Sequence, residues 1–433
     1  MKRNGITTFV AFSLLTQKVI GRRSSSYISS ANARSASFTQ VLRSLVRLPV
    51  LLCFVLTACG IADETEVEAP PGAPLPGLSL EEAEQFSLGQ TLFNRAFTPE
   101  EGLGPLFNQA RCSSCHDLPT SGGHGAEPVT KVSHFDELTG CDLLREEGGD
   151  LLQASVVPAL RAAGILPERI PVSATAVTEL RAPSLYGIGL VEAIDDDDIL
   201  IRADPDDLDG DGISGRPGLG PGGSLGRFGS KAQHTTLGEF IENAIRGEMG
   251  LTTPTHPVEE MPNGLPLPEG TDPVPEPEIE ASDLDLLEAY LRFLAQPARL
   301  ILDNAEDQAA SQEGESIFGS LGCATCHTPT LATGRHHSTV LNQKRFRIYS
   351  DLLLHDMGPD LADICAPGAR PSEWRTARLV GLGLRSEFLH DGRARSVRDA
   401  ILMHGGEAES ARDRFQNLTP DSRRRILLFL RTL

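Results

Sequence analysis

Apolar residues in this chain recur mostly at helical spacing. Leu284, Leu287, Leu291 and Leu294 fall on one face of a helix that Ser282 and Asp285 start in capping-box fashion and Pro297 ends. Thr419-Pro420 opens a last helix, with proline in its first turn and Ile426, Leu427 and Leu430 apolar. No long alternating run appears, so the pattern predicts a mainly α fold with long loops. Between Thr252 and Ile279 a Pro-, Glu- and Gly-rich stretch reads as a surface loop. One apolar run differs. Leu48 to Ala58 is too short to span a bilayer, follows Arg43 and Arg47 and precedes Cys59-Gly60, as in a secretory leader.

Leu56-Thr57-Ala58-Cys59 has the form of a bacterial lipobox, in which the cysteine is acylated and becomes the first mature residue. Residues 1–58 are then leader and 59–79, rich in Glu, Ala and Pro, a disordered tether. The expected product is an exported, periplasm-facing lipoprotein of the outer membrane, touching the membrane only through its lipid. Residues 1–58 hold eight Lys and Arg and no Asp or Glu, so their loss takes the formal charge from −20 to −28. Such acidity excludes nucleic acid as a partner and suits a basic electron donor or simple solubility.

Two runs carry the chemistry: Cys112-Ser113-Ser114-Cys115-His116 and Cys323-Ala324-Thr325-Cys326-His327. Cys-x-x-Cys-His is the attachment signature of c-type haem, two thiols for the porphyrin vinyls and an imidazole for the iron. A zinc site or a redox dithiol is the rival reading, but neither demands a histidine directly after each pair. Cys141 and Cys365 remain, either paired or as separate thiols.

The chain also repeats itself. Phe107 and Phe318 each lie five residues before a motif, and Arg181–Leu190 matches Arg375–Leu384 at Arg, Leu, both Gly and the final Leu. Phe228 and Leu237 are spaced like Phe388 and Val397. Two tandem cytochrome-c-like haem domains related by duplication are therefore expected, over 80–300 and 301–433. The halves differ where it matters. His404 falls opposite Ala244, so the second haem has a sixth ligand available and the first does not. Glu248, four residues past Ala244, would place an acid–base group on that open side. His355 and Met357 compete as ligands of the second haem, and His124 is a candidate cap for the first. Tyr186 and Trp374 are candidates for an electron path or for core. Asp207, Asp209 and Asp211, with the Ile213 carbonyl, follow the spacing of a calcium loop, although Gly218 stands where the bidentate Glu would be.

With these residues assembled, the chain over about 80–433 resembles the dihaem cytochrome c peroxidase superfamily, in particular its dihaem oxidoreductase ("thiol oxidoreductase") branch. Tyr349–Gly358, Phe388–Ala394 and His404–Ala408 carry the resemblance. It implies that His404 takes the place of a ligating Met, fourteen residues after His390, and that Glu248-Met249 holds the distal Glu. The implied activity is peroxide reduction at an open first haem fed by the second, with a small cytochrome or other redox protein as donor. The alternatives are a dihaem electron carrier without peroxidase activity and a dihaem oxidase of an organic or protein substrate.

Overall fold

The computed structural model describes residues 64–433, so the leader and Cys59 lie outside the described residues. Helix α1 spans Leu80–Asn94, with Ser79 and Glu82 closing a reciprocal capping box. A three-stranded antiparallel sheet follows, with β1 (Pro128–Asp136) between β2 (Gly140–Asp142) and β3 (Ala176–Arg181). Helix α2 (Leu237–Ala244) runs into one π-helical turn, Ile245–Met249. Helices α3 (Ala281–Phe293) and α4 (Ala305–Ser320) come next. A hairpin-like pair, β4 (Leu354–Asp356) on β5 (Glu373–Arg375), precedes α5 (Val397–Leu402) and α6 (Pro420–Thr432). The structure is rich in helix, and the sheets among the described residues are small.

One packing unit occurs twice. Helix α1 packs on α3 and α4 packs on α6, and each pair meets at a glycine. A Cβ on Gly89 would sit 2.0 Å from the Leu286 carbonyl oxygen, and one on Gly314 would sit 2.2 Å from that of Arg425. Only a bare Cα lets the backbones approach so closely. One turn on, Phe93 meets Tyr290 at 5.0 Å between ring centroids and Phe318 meets Phe429 at 5.5 Å. Replacing Gly314 by Val should therefore lower the unfolding free energy by about 1–3 kcal/mol, read as a fall in melting temperature.

The structure departs from the sequence expectations at four places. The counterpart of Phe318 is Phe93 rather than Phe107, because a loop over 95–111 separates α1 from the first motif. Phe107 instead pairs with Ser155 in a two-residue bridge. The α3 helix is capped by Glu280, without a side-chain cap bond, and Ser282 lies inside its first turn. The sheet went unforeseen because β1 buries residues on both faces, with Val132 and Ser133 adjacent and both buried, so no two-residue alternation shows. The stretch expected to be a tether is ordered over its described part. Val67 and Leu75 are buried, Glu68-Ala69 pairs in parallel with Gln296-Pro297, and Glu66 and Glu68 make ion pairs with Lys344 and Arg347.

Cys141 and Cys365 are joined as a disulfide across 224 residues, tying β2 to the loop ahead of β5. The Cys365 amide also donates to the buried Ser133 hydroxyl on β1, at 3.0 Å.

Candidate functional site

One cavity of about 730 Å³ is lined by both Cys-x-x-Cys-His runs, and by Ala244, Glu248, Trp374 and His404. Its walls are largely apolar, including Phe93, Leu287, Leu291 and Ile426.

The two motifs are built alike. Each closes a short helical turn, Cys112–Ser114 and Cys323–Cys326. His116 donates its Nδ1 proton to the Gly123 carbonyl at 3.1 Å, and His327 donates to that of Tyr349 at 2.9 Å. A carbonyl only accepts, so in both rings Nδ1 carries the hydrogen and Nε2 keeps its lone pair. The rings rest against Phe93 and Phe318, each at 6.3 Å between centroids. Burial pushes the His327 pKa down to about 4 and lowers that of His116, so both imidazoles stay neutral, as iron ligands must. The four motif thiols are free of disulfides. Burial raises Cys112 and Cys115 to about 12 and Cys323 to about 11. A redox dithiol needs a low thiol pKa, and these are high. Nor do the donor atoms of either Cys-Cys-His set converge into a metal cluster among the described residues. Two pairs of thiols free of disulfides, two imidazoles with a free Nε2 lone pair and an apolar cavity fit two haems.

His404, at the C-terminal end of α5, donates from Nδ1 to the Ala400 carbonyl at 2.7 Å, which leaves Nε2 for the cavity; burial lowers its pKa. Ala244, its counterpart in the repeat, also lines the cavity and offers no ligand. His355 is no competitor. Its Nε2 bonds Asp351 at 2.9 Å and its Nδ1 bonds Glu407 at 2.7 Å, so both nitrogens are taken. Burial opposes charge on the ring, yet the hydrogen bonds, that to Asp351 foremost, raise its pKa to about 12. Glu407 is pushed upward by burial but falls to about 2 through His355, Ser214 and the Asp356 amide.

Glu248 sits on the π-helical turn, a feature often found where a helix is bent to a task. Its backbone carbonyl accepts from the amides of Asn108 and Gln109, at 2.7 and 3.1 Å, which docks it just ahead of the first motif. Asn108 Nδ2 donates to its carboxylate at 2.9 Å, and Met249 Sδ lies 4.0 Å from Cys112 Sγ. Burial raises the Glu248 pKa, against the Asn108 bond and the charge of Lys131, which is itself paired with Asp150 at 2.6 Å. A carboxyl that is buried and readily protonated is suited to moving a proton in both directions.

Trp374 is held from three sides. Its Nε1 donates to Leu361 O at 2.9 Å, the His390 ring stacks at 3.8 Å and 13°, and Lys231 Nζ lies 3.5 Å from the ring centroid. Two groups that close to one centroid must occupy opposite faces. Lys231 also donates to the carbonyls of Arg370, Pro371 and Glu373, while burial lowers its pKa to about 7. Asp363 accepts from His390 Nε2 at 2.7 Å. Lys231 carried no signal in the sequence, because its partners lie more than a hundred residues away.

Other expected residues fall elsewhere. Tyr186 is core, its hydroxyl donating to Thr120 O, and His124 does not line the cavity. In the acidic loop, the carboxylates that converge are Asp204, Asp207 and Asp209. Asp211 lies outside that group of carboxylates, and its Oδ1 accepts the Ile213 amide at 2.8 Å. His234, passed over in the sequence, lines the cavity and pairs through Nδ1 with Glu239 at 3.0 Å. Its signal was in the repeat: six residues after Phe228, it stands where Ala394 stands after Phe388.

No curated protein matches the sequence. Among solved structures, hydrazine synthase of Kuenenia stuttgartiensis is 13% identical, with a TM-score of 0.39 over 93% of this chain and 100% of its own. A MauG-like protein associated with microbial copper homeostasis is 16% identical, TM-score 0.36, over 85% of this chain and 93% of its own. A variant of the diheme peroxidase BthA from Burkholderia thailandensis is 14% identical, TM-score 0.36, over 84% and 88%. The family described as "Di-haem oxidoreductase, putative peroxidase" matches residues 177–433, more than half of the chain. The protein belongs to that family and is an enzyme of the di-haem oxidoreductase kind.

Proposed function

We propose that the chain is a peroxidase of two haem units related by duplication, about 80–300 and 301–433, in which electrons pass from the second haem to the first. The observation that carries this reading is that His404 and its counterpart in the repeat, Ala244 with Glu248 four residues on, all line one cavity. Cys112, Cys115 and His116 would hold one haem, and Cys323, Cys326, His327 and His404 the other. Bound there, the haems supply two one-electron iron centres for the two-electron reduction of peroxide to water.

The protein's part is to place protons and exclude water. Glu248, oriented by Asn108, would take a proton from the near oxygen of peroxide and return it to the far one as the O–O bond breaks. Trp374 would lie on the electron path, clamped by His390 and Lys231. The loop carboxylates Asp204, Asp207 and Asp209 would take calcium. Export and a lipid anchor at Cys59 would place the acidic body where a basic cytochrome or other small redox protein delivers electrons.

His234 on the cavity wall favours a second reading, an electron carrier with both irons six-coordinate. Low-temperature EPR of the haem-loaded protein separates the two. A high-spin first haem, present at once or on half-reduction, and reaction with peroxide are the expected result. Two low-spin haems that never react would establish the carrier instead.

A further inference from the structure

His355 is 4% exposed and touches both sides of the second-haem site. On one side its Nε2 reaches Asp351, whose amide donates to the Cys326 carbonyl at 2.9 Å and which lies two residues past Tyr349, the acceptor for His327. On the other its Nδ1 reaches Glu407, three residues past His404. Carboxylates only accept when ionised, so facing one at each nitrogen makes the ring a donor at both. Glu407 is fixed in turn by Ser214, through the hydroxyl at 2.6 Å and the amide at 3.1 Å, and by the Asp356 amide at 3.1 Å. A single buried imidazole thus links the segment that orients His327 to the segment that carries His404. No other side-chain contact described joins the Asp351 and Glu407 carboxylates.

We propose that His355 is a positioning residue which, by bridging Asp351 and Glu407, holds His404 in register to ligate the second haem. This rests on the reading of His404 as the sixth ligand. Without the bridge, the Glu407 carboxylate keeps its bonds from Ser214 and the Asp356 amide but loses its link to Asp351, and two buried carboxylates lose their shared donor. His404 then leaves the iron more often, although the haem stays covalently attached.

The test uses the haem-loaded full-length protein carrying His355→Gln, Glu407→Gln or His404→Ala. The readouts are haem content per chain, the EPR low-spin signal of the second haem, and the rate of carbon monoxide binding to it when reduced. Expected are two haems per chain, a weakened low-spin signal and at least a tenfold faster carbon monoxide rate in His355→Gln. Glu407→Gln, which keeps an acceptor for the ring, should fall between this variant and the native protein, and it decides the matter should His355→Gln load poorly. Unchanged signal and rate in both, with His404→Ala opening the haem, would overturn the role of His355 alone. An unchanged low-spin signal in His404→Ala would overturn the ligand reading and this proposal with it.

Discussion

Replacing Glu248 by Gln should cut peroxide turnover by about 10²–10⁴-fold, the range typical of a lost general acid–base group. The amide keeps the size of the carboxyl and still accepts from Asn108, so cavity shape, haem content and the spectrum of the second haem should be unchanged. The pH profile gives an independent reading. Burial raises the Glu248 pKa above 4.5, so the carboxyl holds its proton at pH values where an exposed Glu has lost it. As the ionised form must act first, native turnover should fall as pH drops through that raised value, and the variant's residual turnover should lack this limb. Native-like turnover in the variant would remove Glu248 from the mechanism.

The second large effect is expected at His404. Truncation to Ala removes the imidazole that the segment just past α5 brings to the cavity, so the second haem should turn from low-spin to high-spin and bind exogenous imidazole. Substitution by Met is the sharper experiment. Thioether in place of imidazole should keep a low-spin haem but raise its reduction potential, within the span of about 0.8 V that axial ligands command. Spectroelectrochemical titration of both variants measures this. A second haem with native spin state and potential in either would show that another group ligates it.

What could be read from the sequence was local or repeated. The two motifs declare themselves in five residues each, and the asymmetry of His404 against Ala244 followed from placing one half on the other. The glycines at the two helix crossings went unread, although a Cβ at Gly89 or Gly314 would meet a backbone carbonyl. What stayed hidden was held together by distant partners. Trp374 gains its meaning from Lys231 and His390, and His355 from Glu407, fifty-two residues on. The short sheet escaped because β1 is covered on both faces, and Asp204 was missed because it precedes the loop spacing that drew the eye to Asp211. Phe107 shows the opposite hazard, a spacing match that the fold assigns to Phe93.

The bond between Cys141 and Cys365 also constrains the order in which the molecule can mature. Cys141 leaves the ribosome long before its partner, and Cys323 and Cys326 emerge in between. Where an oxidant is present and has first converted Cys141 to a mixed disulfide, whichever thiolate arrives next attacks that sulfur and displaces the oxidant's thiolate. Motif thiols still free at that stage would compete with Cys365 for Cys141, so an excess of oxidant during synthesis should trap crossed disulfides and lower the yield of haem-loaded protein.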